Sequence, residues 1–253
     1  MLRGLYIAAS GMLAESTRND VIANNLANVN TTGFKKDGVA MKSFPELLVL
    51  RLNDTRNGMV GTMSRGTVID EIKTYHGVGP ILSTGRRLDV ALPPEGMLAL
   101  QTPDGERYTR NGSLDVSSDG YLVNTDGHPV LGEYGPIAVD MTGLPAGSLQ
   151  IDENGQVLVG GEVVDRLRVV AAEDTRQLQK VGNSLYTLAD QEAQLNEVTD
   201  YRLRVGFLES SNVNPISEMV NLITAMRSFE AGSRLVQAYD STLDRAVNDI
   251  ARI

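Results

Sequence analysis

From Asn214 the sequence reads NPISEMVNLITAMRSFEAGSRLVQAYDSTLDRAVNDIARI, and its seven-residue periodicity is the strongest constraint in the chain. Leu222, Phe229, Val236, Leu243 and Ile250 occupy one column of the heptad, while Ala225, Gly232, Tyr239, Ala246 and Ile253 occupy a second. Asn214 offers an N-cap oxygen, Pro215 presets φ for the first helical position, and Glu218 places negative charge in the first turn. These signals predict a helix that starts there, about 36 residues and about 54 Å long, carrying a coiled-coil seam. Such a stripe cannot bury itself, so it needs a partner.

The N-terminal segment offers one. Leu5, Ala8, Met12, Ile22, Leu26 and Val29 fit a weaker heptad that Glu15 and Asn19 interrupt, so this helix alone is marginal. Between the ends the period changes to two, with Asn111-Gly112, Asp119-Gly120, Asp126-Gly127, Asn154-Gly155 and Gly160-Gly161 punctuating short apolar segments. The expected fold class is therefore α+β: long N- and C-terminal helices pairing as a coiled coil, with a central, mainly-β domain forming an antiparallel meander or barrel-like sheet. The expected segments are 1–37, 38–213 and 214–253. Residues 51–66, polar and glycine-rich, read as a loop or hairpin excursion from the central domain.

Composition removes several functions. A net charge of −9 lacks the concentrated basic footprint of a nucleic-acid binder. With no cysteine there are no disulfides, thiolate metal sites or cysteine nucleophiles. The two histidines, His76 and His128, lie in glycine- or proline-flanked turns, and no nucleophile elbow, P-loop or dinucleotide fingerprint occurs. Asp115, Ser117, Asp119, Gly120 and Asp126 have the spacing of a calcium loop, but strand-like flanks and an aspartate at the twelfth position favour two hairpin turns. Asp115, Asp119 and Glu133 all fall in turns, which leaves no carboxylate pair set in a cleft for hydrolysis. The expectation is a protein that is not an enzyme and has no cofactor and no metal. No apolar run approaches the roughly 20 residues that span a bilayer, and the N-terminus lacks the pattern of a cleaved signal peptide.

Four asparagines, Asn24, Asn25, Asn28 and Asn30, crowd the stretch ANNLANVNTTGFKKD. Together with ESSNVNPISEMVNLITAMRSFEA, TGRRLDVAL and YTRNGSLDVSSDGYLVNTDGHPVLG, it makes the chain resemble the bacterial flagellar rod and hook protein family. Length and the one central β-domain are closer to rod subunits of FlgF or FlgG type than to the longer hook protein. The chain departs from the family at PPEGMLAL, where phenylalanines usually follow Gly96.

The resemblance implies a structural subunit of the basal-body rod, the helical drive shaft that carries torque from motor to hook; the alternative is a hook-type or other extracellular filament subunit. It implies partners: further copies of the chain, neighbouring rod and hook proteins, the rings around the rod, and the flagellar type III export apparatus. It also places the protein in the basal body, outside the cytoplasmic membrane, after export without a cleaved signal. Its assembly interface is expected at Leu5, Met12, Ile22, Asn24, Asn25, Leu26 and Asn28 on one helix and Leu222, Phe229, Val236, Leu243 and Ile250 on the other. Asn25 and Asn28 are expected to serve a lattice contact, so that leucine there preserves the monomer. Asn30 and Gly33 are expected to stop the N-terminal helix. Phe44 and Leu48 fit the family's export-gate spacing, and a core contact beneath the β-domain fits them equally.

Overall fold

The side-chain oxygen of Asn214 accepts from the backbone N–H groups of Ile216 at 3.1 Å and Ser217 at 3.2 Å, which satisfies two of the orphan donors at a helix start. The helix runs Pro215–Ile250 (α2). In the computed structural model, the described residues are 2–44, 47–51, 58–63, 65–140, 148–182, 184–188 and 195–250. They fall into two units that interleave along the chain: 1–27, 37–75 and 214–253 in the first, and 28–36 with 76–213 in the second. Residues 38–75, assigned from sequence to the central segment 38–213, thus group with the two terminal helices.

The first unit holds α1 (Leu2–Ala27), β1 (Asp37–Ser43), β2 (Leu47–Arg51), β3 (Gly58–Met63), β4 (Thr67–Thr74) and α2. β1 and β4 pair antiparallel, with a bulge between Ala40 and Met41, and this ribbon packs on α1. An isolated two-stranded ribbon is marginal in water, so the helix supplies the face it needs. β2 and β3 pair antiparallel within the excursion, Leu47 opposite Met63.

Among the described residues the coiled coil expected of the two helices is absent. They lie against each other in opposite directions: a Cβ on Gly4 would meet the Tyr239 hydroxyl at 2.5 Å, and one on Gly232 would meet Met12 at 2.7 Å. Knobs-into-holes packing needs large apolar residues buried along both columns of the seam. Here Ala225 alone among the described seam residues of α2 is buried, and Phe229 is 39% exposed. The physical reason is in the second column, where Ala225, Gly232 and Ala246 are too small to act as knobs. The helices approach through their glycines instead.

The second unit carries β5 (Ile81–Ser83), β6 (Val90–Ala91), β7 (Gly96–Thr102), β8 (Gly105–Thr109), β9 (Leu114–Val116), β10 (Leu122–Asn124), β11 (Leu149–Ile151), β12 (Gln156–Val159) and β13 (Glu162–Arg166). It continues with β14 (Val169–Ala172), β15 (Leu178–Gly182), β16 (Leu185–Leu188), β17 (Leu195–Glu197), β18 (Arg204–Val205) and β19 (Phe207–Glu209). Six of these form one antiparallel sheet in the order β15-β16-β8-β7-β14-β17. That order is neither a meander nor a barrel, which corrects the second part of the expected fold class. β11, β12 and β13 form a separate three-stranded sheet, and β5–β19, β6–β18 and β9–β10 are two-stranded pairs.

β7 explains the departure. Its alternate residues serve two cores: Leu98 and Leu100 enter the larger cluster with Leu122, Val130 and Leu167, while Met97 and Ala99 enter the smaller one with Val170, Leu178 and Tyr186. A strand covered on both faces reads as a continuous apolar run, as GMLAL does. The turn signals divide similarly. Gly120 and Gly127 take positive φ, 78° and 83°. Gly112 does not; a Cβ there would meet the Val90 carbonyl oxygen at 1.8 Å, so it marks a close backbone approach rather than a hairpin turn.

Candidate functional site

Three segments far apart in sequence meet inside the second unit: the turn ending TTGFKK, the start of YTRNGS, and LESSN. Their charged residues are buried together. The Lys35 ammonium donates to Glu209 Oε1 at 2.6 Å and Arg110 Nε donates to Glu209 Oε2 at 2.7 Å, with all three side chains only 3% exposed. The Gly79 N–H also donates to Oε1, at 2.8 Å, so every partner points at one carboxylate. Lys35 donates further to the Gly77 carbonyl, and Arg110 to the carbonyls of Pro93, Gly96 and Leu92.

Backbone bonds bind the same segments. Glu209 accepts from Gly33 N–H, Ser210 donates to Pro80, and Asn212 donates to Phe34. The Asn212 amide bridges them, accepting from Lys36 N–H at 2.7 Å and donating to Gly77 at 3.1 Å. β19 adds its pairing with β5, Glu209 opposite Ile81. Segments 33–36, 77–81 and 209–212 of the second unit are thereby stapled to one another.

Burial alone would raise the Glu209 carboxyl. The Lys35 hydrogen bond, the Arg110 charge and the Gly79 N–H outweigh it and hold the group below its ordinary value. For Lys35 burial wins over the attraction of Glu209, and repulsion from Arg110 adds to it, so the ammonium is pushed down. Both shifts run toward less positive charge, as two cations around one carboxylate require.

The expected site residues are distributed differently. Asn25 is 1% exposed, and its amide exchanges two hydrogen bonds with the Asp37 backbone, donating to the carbonyl at 2.7 Å and accepting from the N–H at 2.9 Å. It holds the first unit's own chain together, with its amide engaged inside the subunit. Asn24 is exposed; Asn28 accepts from the Thr31 N–H and hydroxyl. The helix ends at Ala27, before Asn30 and Gly33. Gly33 has φ +68° for another reason: a Cβ would meet the Asn111 backbone nitrogen at 2.6 Å.

Ile22 is buried, Leu5, Met12 and Leu26 are half-buried, and so are Leu222, Val236 and Leu243. The Ile250 side chain lies outside the described residues, as does that of Leu48; Phe44 is half-buried and donates its N–H to Gly66. Besides Phe229, the exposed large apolar residues of α2 include Ile216, Met219, Val220, Ile223, Met226, Leu235 and Val247, with Tyr6 and Leu13 on α1. Lys35, Arg110, Glu209 and Asn212 were missed from sequence, although each lies inside a quoted motif.

Three family models match the chain: "Flagella basal body rod protein" over 5–35, "Flagellar hook protein FlgE/F/G D1 domain" over 91–159, and "Flagellar basal body rod FlgEFG protein C-terminal" over 204–249. The flagellar hook-basal body complex protein FlhO of Bacillus subtilis is 33% identical, covering 100% of both chains. The flagellar basal-body rod protein FlgG of the same organism is 34% identical over 98% of this chain and 99% of its own. The flagellar basal-body rod protein FlgF of Escherichia coli is 34% identical over 97% of each.

Proposed function

Because the chain belongs to the flagellar basal-body rod family, we propose that its helices carry the contacts by which copies stack into a helical shaft that passes torque from motor to hook. The protein is a structural component of the flagellar basal body and not an enzyme. The observation that carries the stacking is the set of large apolar side chains left in water along α2. Ile216 is 70% exposed, Val220 58% and Ile223 52%. A contiguous apolar surface of this kind marks a binding face. Repetition of one heterologous contact along an axis produces an open filament rather than a closed ring.

The half-buried residues Leu5, Met12, Leu26, Leu222, Val236 and Leu243, with Phe229, flank that face and take part in the same contacts. Neighbouring rod and hook proteins, and the rings around the rod, are its further partners. Export proceeds through the flagellar type III apparatus without a cleaved signal, with Phe44 and Leu48 as its gate motif. Among the described residues no helix is long and apolar enough to cross a membrane.

The experiment is complementation of a strain lacking the gene with Ile223→Asp or Met226→Asp, exposed positions whose substitution spares the subunit's own packing. Rods should be missing while the secreted subunit keeps its unfolding transition. Normal rods and swimming in both strains contradict the reading.

A further inference from the structure

Beside the buried charges the second unit holds a cavity of about 140 Å³, lined by Lys35, His76, Glu95, Met97, Arg110 and Tyr186 among others. A water needs only about 10–15 Å³ of such space, so a planar carboxylate fits. Lys35 carries three N–H donors and spends two, on Glu209 and Gly77. Arg110 carries five; Nε goes to Glu209, both Nη1 protons to carbonyls, and one from Nη2 to Leu92. Each cation thus keeps one donor without a partner among the described residues.

Charge points the same way. The buried cluster has two cations and one carboxylate, whose oxygens are both engaged. The Lys180 ammonium adds a third positive group, donating to the Lys35 carbonyl and lying 4.3 Å from the centre of the Phe34 ring. Glu95, also on the cavity wall, is exposed and forms no ion pair with Lys35 or Arg110 among the described residues. An uncompensated charge out of water is costly, and a bound counter-charge removes the cost.

We propose that this cavity binds a small oxyanion, a carboxylate or a phosphate, on the spare donors of Lys35 and Arg110. The assignment is independent of how the helices assemble. Its chemistry is shared by a free anion and by an acidic side chain offered by another protein chain.

The test is thermal unfolding of the purified full chain at neutral pH in acetate, phosphate or chloride at matched ionic strength. Acetate or phosphate should raise the midpoint saturably above chloride. Thr175→Glu, at an exposed wall position, tethers a competing carboxylate and should weaken the apparent affinity by about tenfold or more. Lys35→Met should abolish the effect. A rise with acetate alone assigns the site to protein carboxylates, and one with phosphate to a free oxyanion. No rise above chloride, or an equal rise in Thr175→Glu, overturns the proposal, and the second variant decides even if Lys35→Met fails to fold.

Discussion

The side-chain amide of Asn25 closes a two-way hydrogen bond with the backbone of Asp37, at 2.7 and 2.9 Å, where the chain leaves the first unit after Ala27 and re-enters it. Leucine at 25 removes both bonds and leaves an N–H and a carbonyl of Asp37 without those partners. At about 1–3 kcal/mol for each orphaned group, Asn25→Leu should cost about 2–6 kcal/mol. Asn24→Leu, one residue away and exposed, should cost less than about 1 kcal/mol. Urea unfolding of the two variants checks the contrast; equal losses contradict it.

Glu209 faces two buried cations, so its removal strands both. Glu209→Gln keeps the shape and should destabilise the second unit by about 3–5 kcal/mol. The losses in Lys35→Met and Glu209→Gln should not add, since each leaves the other's partner exposed to the same imbalance. A double-mutant cycle by denaturant unfolding measures that coupling, and additive losses argue that the pair is energetically inert.

Stability should depend on acid through the same carboxylate. The folded Glu209 holds its proton more weakly than the unfolded chain does. Its contribution is therefore complete above the usual glutamate range and is lost as pH falls through that range toward the depressed folded value. Glu209→Gln should flatten this part of the stability profile, and an unchanged acid slope contradicts the assignment.

Gly33 combines φ +68° with the backbone of Arg110 and Asn111 only 2.6–2.8 Å from where a Cβ would stand. Gly33→Ala should cost about 2–5 kcal/mol, from left-handed strain of about 1–2 plus overpacking of about 1–3. Gly127 has φ +83° but open space around it, so Gly127→Ala should cost only the strain. Comparable losses at the two sites exclude close approach as the cause.

Much of this was legible in the chain. The α2 start could be read because Asn214, Pro215 and Glu218 act locally, and the Asp119-Gly120 and Asp126-Gly127 turns because positive φ selects glycine. The coiled coil misled because heptad spacing registers which positions are apolar, not whether Ala225, Gly232 and Ala246 are large enough to interdigitate. The sheet order was hidden because β7 is apolar on both faces and pairs with β14, some seventy residues on. Lys35, Arg110 and Glu209 carry no local signature, since each is an ordinary charged residue until folding brings the three segments together. Asn25 was conspicuous, but only the position of Asp37 distinguishes an internal clasp from an intersubunit contact.

Hydrogen exchange across α2, compared between the free chain and isolated basal bodies, tests most directly whether this helix carries the rod contacts. Amides from Ile216 to Val247 should be far more slowly exchanged in the rod, because the face of Ile216, Val220, Ile223 and Met226 is then covered. Equal protection of α2 in both states contradicts a helix-mediated shaft.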